Sequence, residues 1–481
     1  MYLGLDLGTS GVKSVIMDDA QVIVAQASAP LSVSRPQPLF SEQDPGEWWR
    51  AAVDSILQLP AAARAGVRAI GLSGQMHGAT LLDATDVPLR PAILWNDGRS
   101  GAECLELERR EPRSRLITGN IMMPGFTAPK LLWVARYEPQ QFARTAMVLL
   151  PKDYLRLKLT GERVSDMSDA SGTGWLDVAR RQWSEAMLAA TGLALSQMPR
   201  LVEGSEISGE LTAQVAGLLG LGKVPVAGGA GDNAASAVGM GVISPGQAFL
   251  SLGTSGVLFA VTDRFRPNPE RAAHAFCHAL PGRWHQMAVL LSAASALDWV
   301  AQLLGVTDLP ALVEAARTRG LREDSPFFLP YLSGERTPHN DPHARGVFFG
   351  LTHATTPPDL VNAVLEGVAL AFADGLDVLL ESGGRIEEIS MTGGGARLPY
   401  WGELLAAALH RPLVYRAGSE VGAALGAARL ARMALGEAPW AVCGQPPVVR
   451  VADPEPRLAA LLASRRGRFV RLYRDLRGNF V

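Results

Sequence analysis

Residues 6–12 read DLGTSGV, and residues 251–257 read SLGTSGV. The two copies differ only in their first letter, Asp6 against Ser251. In each, a β-type run ends, a glycine (Gly8 or Gly253) lets the backbone reverse without steric cost, and the next amides point into one concavity. Thr9 and Ser10 in the first copy, and Thr254 and Ser255 in the second, add hydroxyl donors. One such turn is an ordinary hairpin. Two near-identical turns predict a clamp that holds the phosphates of a nucleotide from opposite sides. The changed letter fits this reading. A clamp needs donors from both halves but a carboxylate for Mg²⁺ from only one, since a second would add like charge beside the phosphates. Asp6 is the expected metal-facing group, acting through waters because Mg²⁺ retains much of its hydration shell. Lys13, just past the first turn, is placed either to approach a phosphate as a point charge or to lie in solvent.

At 481 residues the chain exceeds what one hydrophobic core usually organises, so two domains are expected. The repeat puts the boundary near residue 240, dividing 1–240 from 241–481. With 19% charged residues and a formal net charge of -2, the chain gives no electrostatic basis for binding nucleic acid or an anionic membrane. Cys104, Cys277 and Cys443 are widely spaced and match no metal or redox motif, as expected in a reducing cytoplasm. The opening MYLGLDLG enters a strand pattern at once, which argues against a signal peptide. No apolar run is long enough to span a membrane.

Short β-type runs, glycine turns and amphipathic helices alternate throughout, predicting α/β domains. DPGEWWRAAVDSILQL reads as a helix capped by Asp44, with Pro45 in its first turn and Trp49, Val53, Ile56 and Leu57 near one face. Segments 102–110, 128–137 and 140–145 read as helices, as does PKDYLRLKLTG, closed by Gly161. QAFLSLGTSGVLFAV reads as strand–turn–strand. SAASALDWVAQLLG is a helix, PDLVNAVLEGVALAFADGLDVLLESGG a long buried one, and IEEISMTGGG a strand entering a glycine turn before the helix LPYWGELLAAALH. GLLGLGKV at 217–224 imitates a phosphate-binding P-loop, but Val224 replaces the required hydroxyl residue and the lysine precedes a strand, so it is read as a turn.

In VAGGAGDNAASAVG a strand ends in Gly228, Gly229, Ala230 and Gly231, presenting Asp232 and Asn233 at the start of an alanine-rich helix. Asp232 is either a helix N-cap or, with only small residues around it, the carboxylate that takes a substrate hydroxyl proton in phosphoryl transfer.

DLGTSGVK, GLSGQMHG, AILWNDGRS, GFTAPKLLWV, LLPKDYLRLKLTGERVSDMSDASGT, GGAGDNAA, SLGTSGV, LPYLSGERTPHNDPHARGVFFGLTH and GGGAR occur in this order. Together they resemble the FGGY family of carbohydrate kinases, over essentially the whole chain to about residue 430. Such a resemblance implies a fold similar to actin, Hsp70 and hexokinase: two ribonuclease-H-like α/β domains flanking a catalytic cleft, with sugar deep between them and ATP nearer the second. It implies Asp232 as catalytic base and Asp6 as the metal-side aspartate, the two carboxylates together facing Mg²⁺. Thr9, Ser10 and Lys13 match the first phosphate loop, Gly253, Thr254 and Ser255 the second, and Gly393, Gly394 and Gly395 the adenosine loop. Leu398-Pro399 departs from the family pattern, which often places a small polar residue there. Met76 and His77 match the substrate loop of the xylulose-phosphorylating members, where glycerol-phosphorylating members carry an Arg-Glu pair. Asn233 is expected to bond sugar hydroxyls, and Asp97 and Arg99 to support the substrate loop.

The expected reaction is ATP-dependent phosphorylation of the 5-hydroxyl of D-xylulose. Other FGGY kinases, for ribulose, fuculose, gluconate or glycerol, are the alternatives within the class; a non-metabolic actin-like ATPase is the alternative outside it. The expected partners are a sugar and ATP, with no nucleic acid or membrane; a homodimer is the assembly to test. His274 and His278 have i,i+4 spacing but sit in a β-rich stretch with no third zinc ligand evident. His339 and His343 read as structural or subunit-contact residues, and Glu366 as a satisfied buried carboxylate.

Overall fold

The computed structural model describes residues 1–417 and 422–480. Two seven-stranded sheets organise them. The first is built from β1 (Tyr2–Leu7), β2 (Gly11–Met17), β3 (Ile23–Pro30), β4 (Ala69–Gly74), β5 (Ile207–Glu210) and β6 (Pro225–Ala227), in the order β5-β6-β4-β1-β2-β3, with β7 (Ala230–Gly231) pairing β4. The second contains β8 (Gly246–Leu252), β9 (Gly256–Thr262), β10 (His274–Cys277), β11 (Trp284–Leu290), β12 (Ile386–Thr392), β13 (Leu413–Arg416) and β14 (Val448–Ala452), ordered β10-β11-β9-β8-β12-β13-β14.

The sequence repeat is a structural repeat. Strand β1 pairs antiparallel with β2 and parallel with β4. Strand β8 does the same with β9 and β12. The registers nonetheless differ by one residue. Leu7 pairs with Val12, whereas its counterpart Leu252 pairs with Gly256. In a pleated strand a one-residue shift reverses which face a side chain takes, so the same seven-letter string makes two different turns.

The helices that matter for the cleft are α1 (Pro45–Leu57), α2 (Pro151–Thr160), α3 (Asp232–Met240), α4 (Ala294–Leu303), α5 (Pro357–Glu381), α6 (Gly422–Ala434) and α7 (Pro456–Leu476). Helix α1 begins as its sequence predicts: Asp44 accepts from the Gly46 amide and Pro45 takes the first position. Its buried face is turned from the expected one, however. Trp48, Ala51, Ala52 and Ile56 are buried, while Leu57 is exposed. The Trp48 indole fixes this choice by donating to Gln43 Oε1 at 2.9 Å, a polar tether that apolar periodicity does not reveal. Helix α2 ends at Gly161, φ +80°, the left-handed stop that glycine makes cheap.

Helix α6 comes late in the chain yet packs on the first sheet and on α3. Glycines create the seam. A Cβ on Gly4 would strike the Ala424 carbonyl, and one on Gly71 the Ala427 carbonyl. Likewise, a Cβ on Gly426 would strike the Ala235 carbonyl of α3. Helix α5 forms the centre of the second core and is buried along most of its 25 residues. Glu366 within it meets Arg465 of α7 in a bidentate pair, at 2.5 and 2.7 Å, both side chains buried. Arg465 also donates to the carbonyls of Arg322, Glu323 and Ser325. The terminal helix is thereby fixed to the second core through a satisfied buried charge pair. No helix among the described residues is long and apolar enough to cross a membrane.

Candidate active site

Three cavities lie in a row along the cleft, sharing residues at their junctions. The first, about 260 Å³, is lined by Met76, His77, Trp95, Asp232, Asn233 and Ser255, with β10, β11 and Arg336 on the far wall. The second, about 250 Å³, is lined by Asp6 and Lys13 on one side and Ser251, Thr392 and Gly393 on the other, with Asn233 common to the first. The third, about 380 Å³, shares Thr392 and Gly393 with the second and continues along Gly394, Ala396, Arg397, Tyr415 and Arg416. The turn regions of the two repeats therefore do face one space, through Asp6 and Lys13 against Ser251.

Asp6 and Asp232 are brought to this cleft from different elements. Asp6 sits on β1 beside Ser73 of β4, whose hydroxyl donates to its Oδ1 at 2.9 Å. Burial raises its carboxyl above the usual range, opposed by that hydrogen bond and by Lys13. Asp232 is the first residue of α3, one place inside the expected N-cap, which is Gly231. Its Oδ1 accepts from the Asn233 amide at 2.7 Å and from Asn233 Nδ2 at 3.0 Å. Burial, and then the charge of Asp6, push it up to about 6. That value suits a group that must accept a proton near neutrality. Asp6 and Asp232 repel each other in the same cleft, and such a pair fits a divalent cation placed to neutralise both.

His77 has φ +69°, unusual for a non-glycine residue. Its backbone carbonyl accepts from Lys130 Nζ at 2.9 Å and from Thr127 Oγ1 at 3.1 Å. Its ring stacks on Phe126, 5.0 Å between centroids, and Nδ1 lies 2.6 Å from the Gly172 carbonyl oxygen. A carbonyl can only accept, so Nδ1 carries the proton and Nε2 keeps its lone pair for a hydroxyl in the cavity. Burial and the Lys130 charge lower its pKa to about 3, so the ring stays neutral. Gly231 makes room for the neighbouring Met76, whose side chain occupies the place a Cβ there would take.

One segment braces both of these residues. Gly172 holds His77, and Ser168 Oγ accepts from the Gly231 amide at 3.1 Å, immediately before Asp232. Ser168 in turn donates to Asp166 Oδ2 at 2.5 Å. Beneath them Lys152 Nζ joins Asp153, Asp166 and Asp169 at 2.6, 2.8 and 3.1 Å, all fully buried.

The remaining expected residues divide. Thr9 accepts from Trp95 Nε1 at 2.9 Å and donates to Gln75 Oε1 at 3.1 Å, tying the first turn to the substrate loop. Ser10 and Thr254 are exposed, and neither they nor Thr9 and Gly253 line the three cavities. Gly393 and Gly395 are glycine because a side chain would run into Leu252, whereas Gly394 faces open space. Asp97 and Arg99 pair with each other rather than with the substrate loop, Asp97 accepting from the Ser41 amide at 2.6 Å and Arg99 gripping both Asp97 oxygens. His274 lies in β10 and His278 just after it. His339 stacks on Tyr473, 3.7 Å between centroids. Sequence reasoning missed Trp95, Gln43, Gln75, His274 and Arg336. Trp95 in WNDGR, Gln75 in SGQMHG and Arg336 in SGERTPH each lie inside a stretch already singled out, so a signal was present for all three.

Residues 1–239 match the model of the N-terminal domain of the FGGY family of carbohydrate kinases, and residues 248–435 match its C-terminal domain. The chain belongs to the FGGY carbohydrate kinases. This FGGY kinase is 54% identical over 479 residues to a xylulose kinase from Escherichia coli (strain K12), covering 99% of both chains. A crystal structure of a xyloylose kinase from Brucella ovis superposes with a TM-score of 0.95 at 53% identity, covering 99% of each chain. A gluconate kinase from Lactobacillus acidophilus gives 0.93 at 26% identity, covering 98% of this chain and 97% of its own. The backbone is thus shared across acceptors, and the kinase has the actin- and hexokinase-like two-domain fold.

Proposed function

We propose that this FGGY kinase transfers the γ-phosphoryl group of ATP to the primary 5-hydroxyl of D-xylulose, giving D-xylulose 5-phosphate. The supporting observation is the first cavity, where Asp232, raised to about 6, and the neutral His77 line one wall. His77 Nε2 accepts from a sugar hydroxyl and Asn233 binds beside it. Asp232 takes the proton of the 5-hydroxyl as its oxygen bonds to phosphorus. Lys13 meets the phosphates in the second cavity, where Ser251 stands opposite, and the nucleoside lies along Gly394. Asp6 and Asp232 would hold Mg²⁺, which supplies charge neutralisation for the transferring phosphoryl group. The working division is residues 1–240 for the sugar side and 241–481 for the nucleotide side, in a cytoplasmic enzyme.

A coupled ADP-release assay across D-xylulose, ribulose, fuculose, gluconate and glycerol tests the assignment. D-xylulose should give the highest kcat/KM, and a larger value for gluconate or glycerol overturns it. In the same assay Asp232→Asn should bind sugar nearly as well as the parent and lose kcat by about 10² or more. Full activity in that variant removes Asp232 from the role of base.

A further inference from the structure

The sugar cavity contains a charge that a neutral ketose does not require. Arg336 lines it from the second half of the chain, in the cavity that Asp232 also lines. It has no carboxylate in ion-pair contact among the described residues. Its guanidinium is instead oriented by a relay of neutral groups. Asn120 Nδ2 donates to the carbonyls of Thr118 at 2.7 Å and Ala275 at 3.1 Å, which turns its Oδ1 toward His274 Nδ1, 3.0 Å away. His274 therefore carries its proton on Nδ1, and Nε2 accepts from Arg336 Nη1 at 3.3 Å. The adjacent Glu335 is the charge that acts on Arg336, opposing the burial that lowers its pKa, but it makes no ion pair with the guanidinium among the described residues. Its Oε1 is taken up by the Leu291 and Arg336 amides, at 2.9 and 2.7 Å. Nor is Asp232 the partner. No ion pair joins the two among the described residues, and Asp232 Oδ1 accepts from Asn233 instead.

The guanidinium is partly exposed to the cavity and free of ion pairs among the described residues, and two N–H groups in one plane match a phosphoryl group's oxygens. We propose that Arg336 is a catalytic residue that receives the phosphoryl group as it arrives on the sugar, binding the sugar 5-phosphate and the transition state that leads to it. This inference rests on the transfer reaction proposed above. In that step the bond from the γ-phosphorus to the β–γ bridging oxygen breaks and its electron pair leaves with ADP. A bond forms from phosphorus to the sugar 5-oxygen, whose proton passes to Asp232. Arg336 makes and breaks no bond. It gains a partner only as the phosphoryl group enters the cavity, which stabilises the transition state over the ground state.

The test uses Arg336→Gln and Arg336→Lys in the full chain. Calorimetry without nucleotide measures binding of D-xylulose and of D-xylulose 5-phosphate, alongside kcat and KM. We expect Arg336→Gln to leave sugar binding within about twofold, weaken sugar phosphate binding roughly tenfold or more, and lower kcat by about 10². Arg336→Lys should recover part of the phosphate affinity. Equal weakening of both ligands makes Arg336 a hydroxyl donor and overturns the proposal, as does unchanged binding of both. The parent enzyme gives a second readout should a variant not fold. Its preference for sugar phosphate over sugar should shrink between about 0.05 and 0.5 M salt, and a salt-independent preference counts against the proposal. If D-xylulose is not the best acceptor, the comparison is run with the acceptor that is and its phosphate, so failure of the substrate assignment leaves this test standing.

Discussion

His77 illustrates how a single residue acquires a function its type does not announce. Free imidazole titrates near neutrality, but this ring is stacked, half-buried and near a lysine, and desolvation takes its pKa down to about 3. Sugar binding in the absence of nucleotide and metal should therefore not lose His77's contribution at any pH between about 5 and 8. A loss of affinity with a midpoint near 6.5 would show that the ring protonates, contrary to its burial. The same shift has a cost in stability. The unfolded chain binds a proton at this position below 6.5 while the folded one does not until about 3, so the fold loses stability as pH falls through that window. His77→Gln should lessen that loss, measured as the thermal midpoint at pH 7 against pH 5, while raising KM for the sugar. Asp6, His77, Asp232 and Asn233 were legible in the sequence because each lies in a short motif whose chemistry is local. Arg336, His274 and Asn120 were not. Their meaning depends on a hydrogen-bond relay spanning more than 200 residues of chain, from Thr118 to Arg336, and no local pattern encodes it.

At the scale of elements, strands and helices were largely readable from periodicity, glycine stops and prolines, and the doubled turn correctly marked a doubled sheet motif. What periodicity could not show was which elements meet. Helix α6 reads as part of the second half, yet it lies across β1 and β4, admitted by Gly4 and Gly71. These glycines sit in strands with ordinary backbone angles, so nothing in the local sequence marks them as contact points. Gly71→Ala should therefore act as an overpacking mutation, forcing a methyl group onto the Ala427 carbonyl and costing about 1–3 kcal/mol. Chemical denaturation would show this as a lower midpoint with an unchanged slope. A variant as stable as the parent would mean that α6 can move away from the sheet at little cost. The neighbouring Gly74 has only side-chain carbons of Lys152 and Leu7 and the Leu7 carbonyl near its Cβ position, none closer than 3.1 Å, so Gly74→Ala should be milder and serves as the control.

For the whole molecule, the decisive feature is that no single half completes the phosphate cavity. Asp6 and Lys13 come from the first sheet, Ser251, Thr392 and Gly393 from the second, and α3 and α6 pack on each other and on the first sheet. Transfer requires both walls to hold one triphosphate while water is kept from its end. The linker after α3 carries Gly241, the left-handed cap that ends the helix, and Gly246 at the start of β8, with φ +72° and +93°. Sugar together with a non-hydrolysable ATP analogue should reduce the radius of gyration in solution scattering more than either ligand alone, because only the pair bridges both walls. The second turn supplies the matching chemical test. Thr254 is exposed, and its carbonyl, not its hydroxyl, accepts from the Ala293 and Ser295 amides at 3.0 and 3.3 Å. Thr254→Val therefore keeps the anchoring of the turn to α4 and removes only the hydroxyl. If closure brings that hydroxyl onto a phosphate, the variant should bind nucleotide more weakly, bind sugar normally, and show a smaller scattering change with both ligands. Scattering indifferent to the ligands would argue for a cleft that stays fixed through the reaction. Unaltered nucleotide affinity in Thr254→Val would instead leave phosphate binding on the second side to Ser251, Thr392 and the backbone of Gly393.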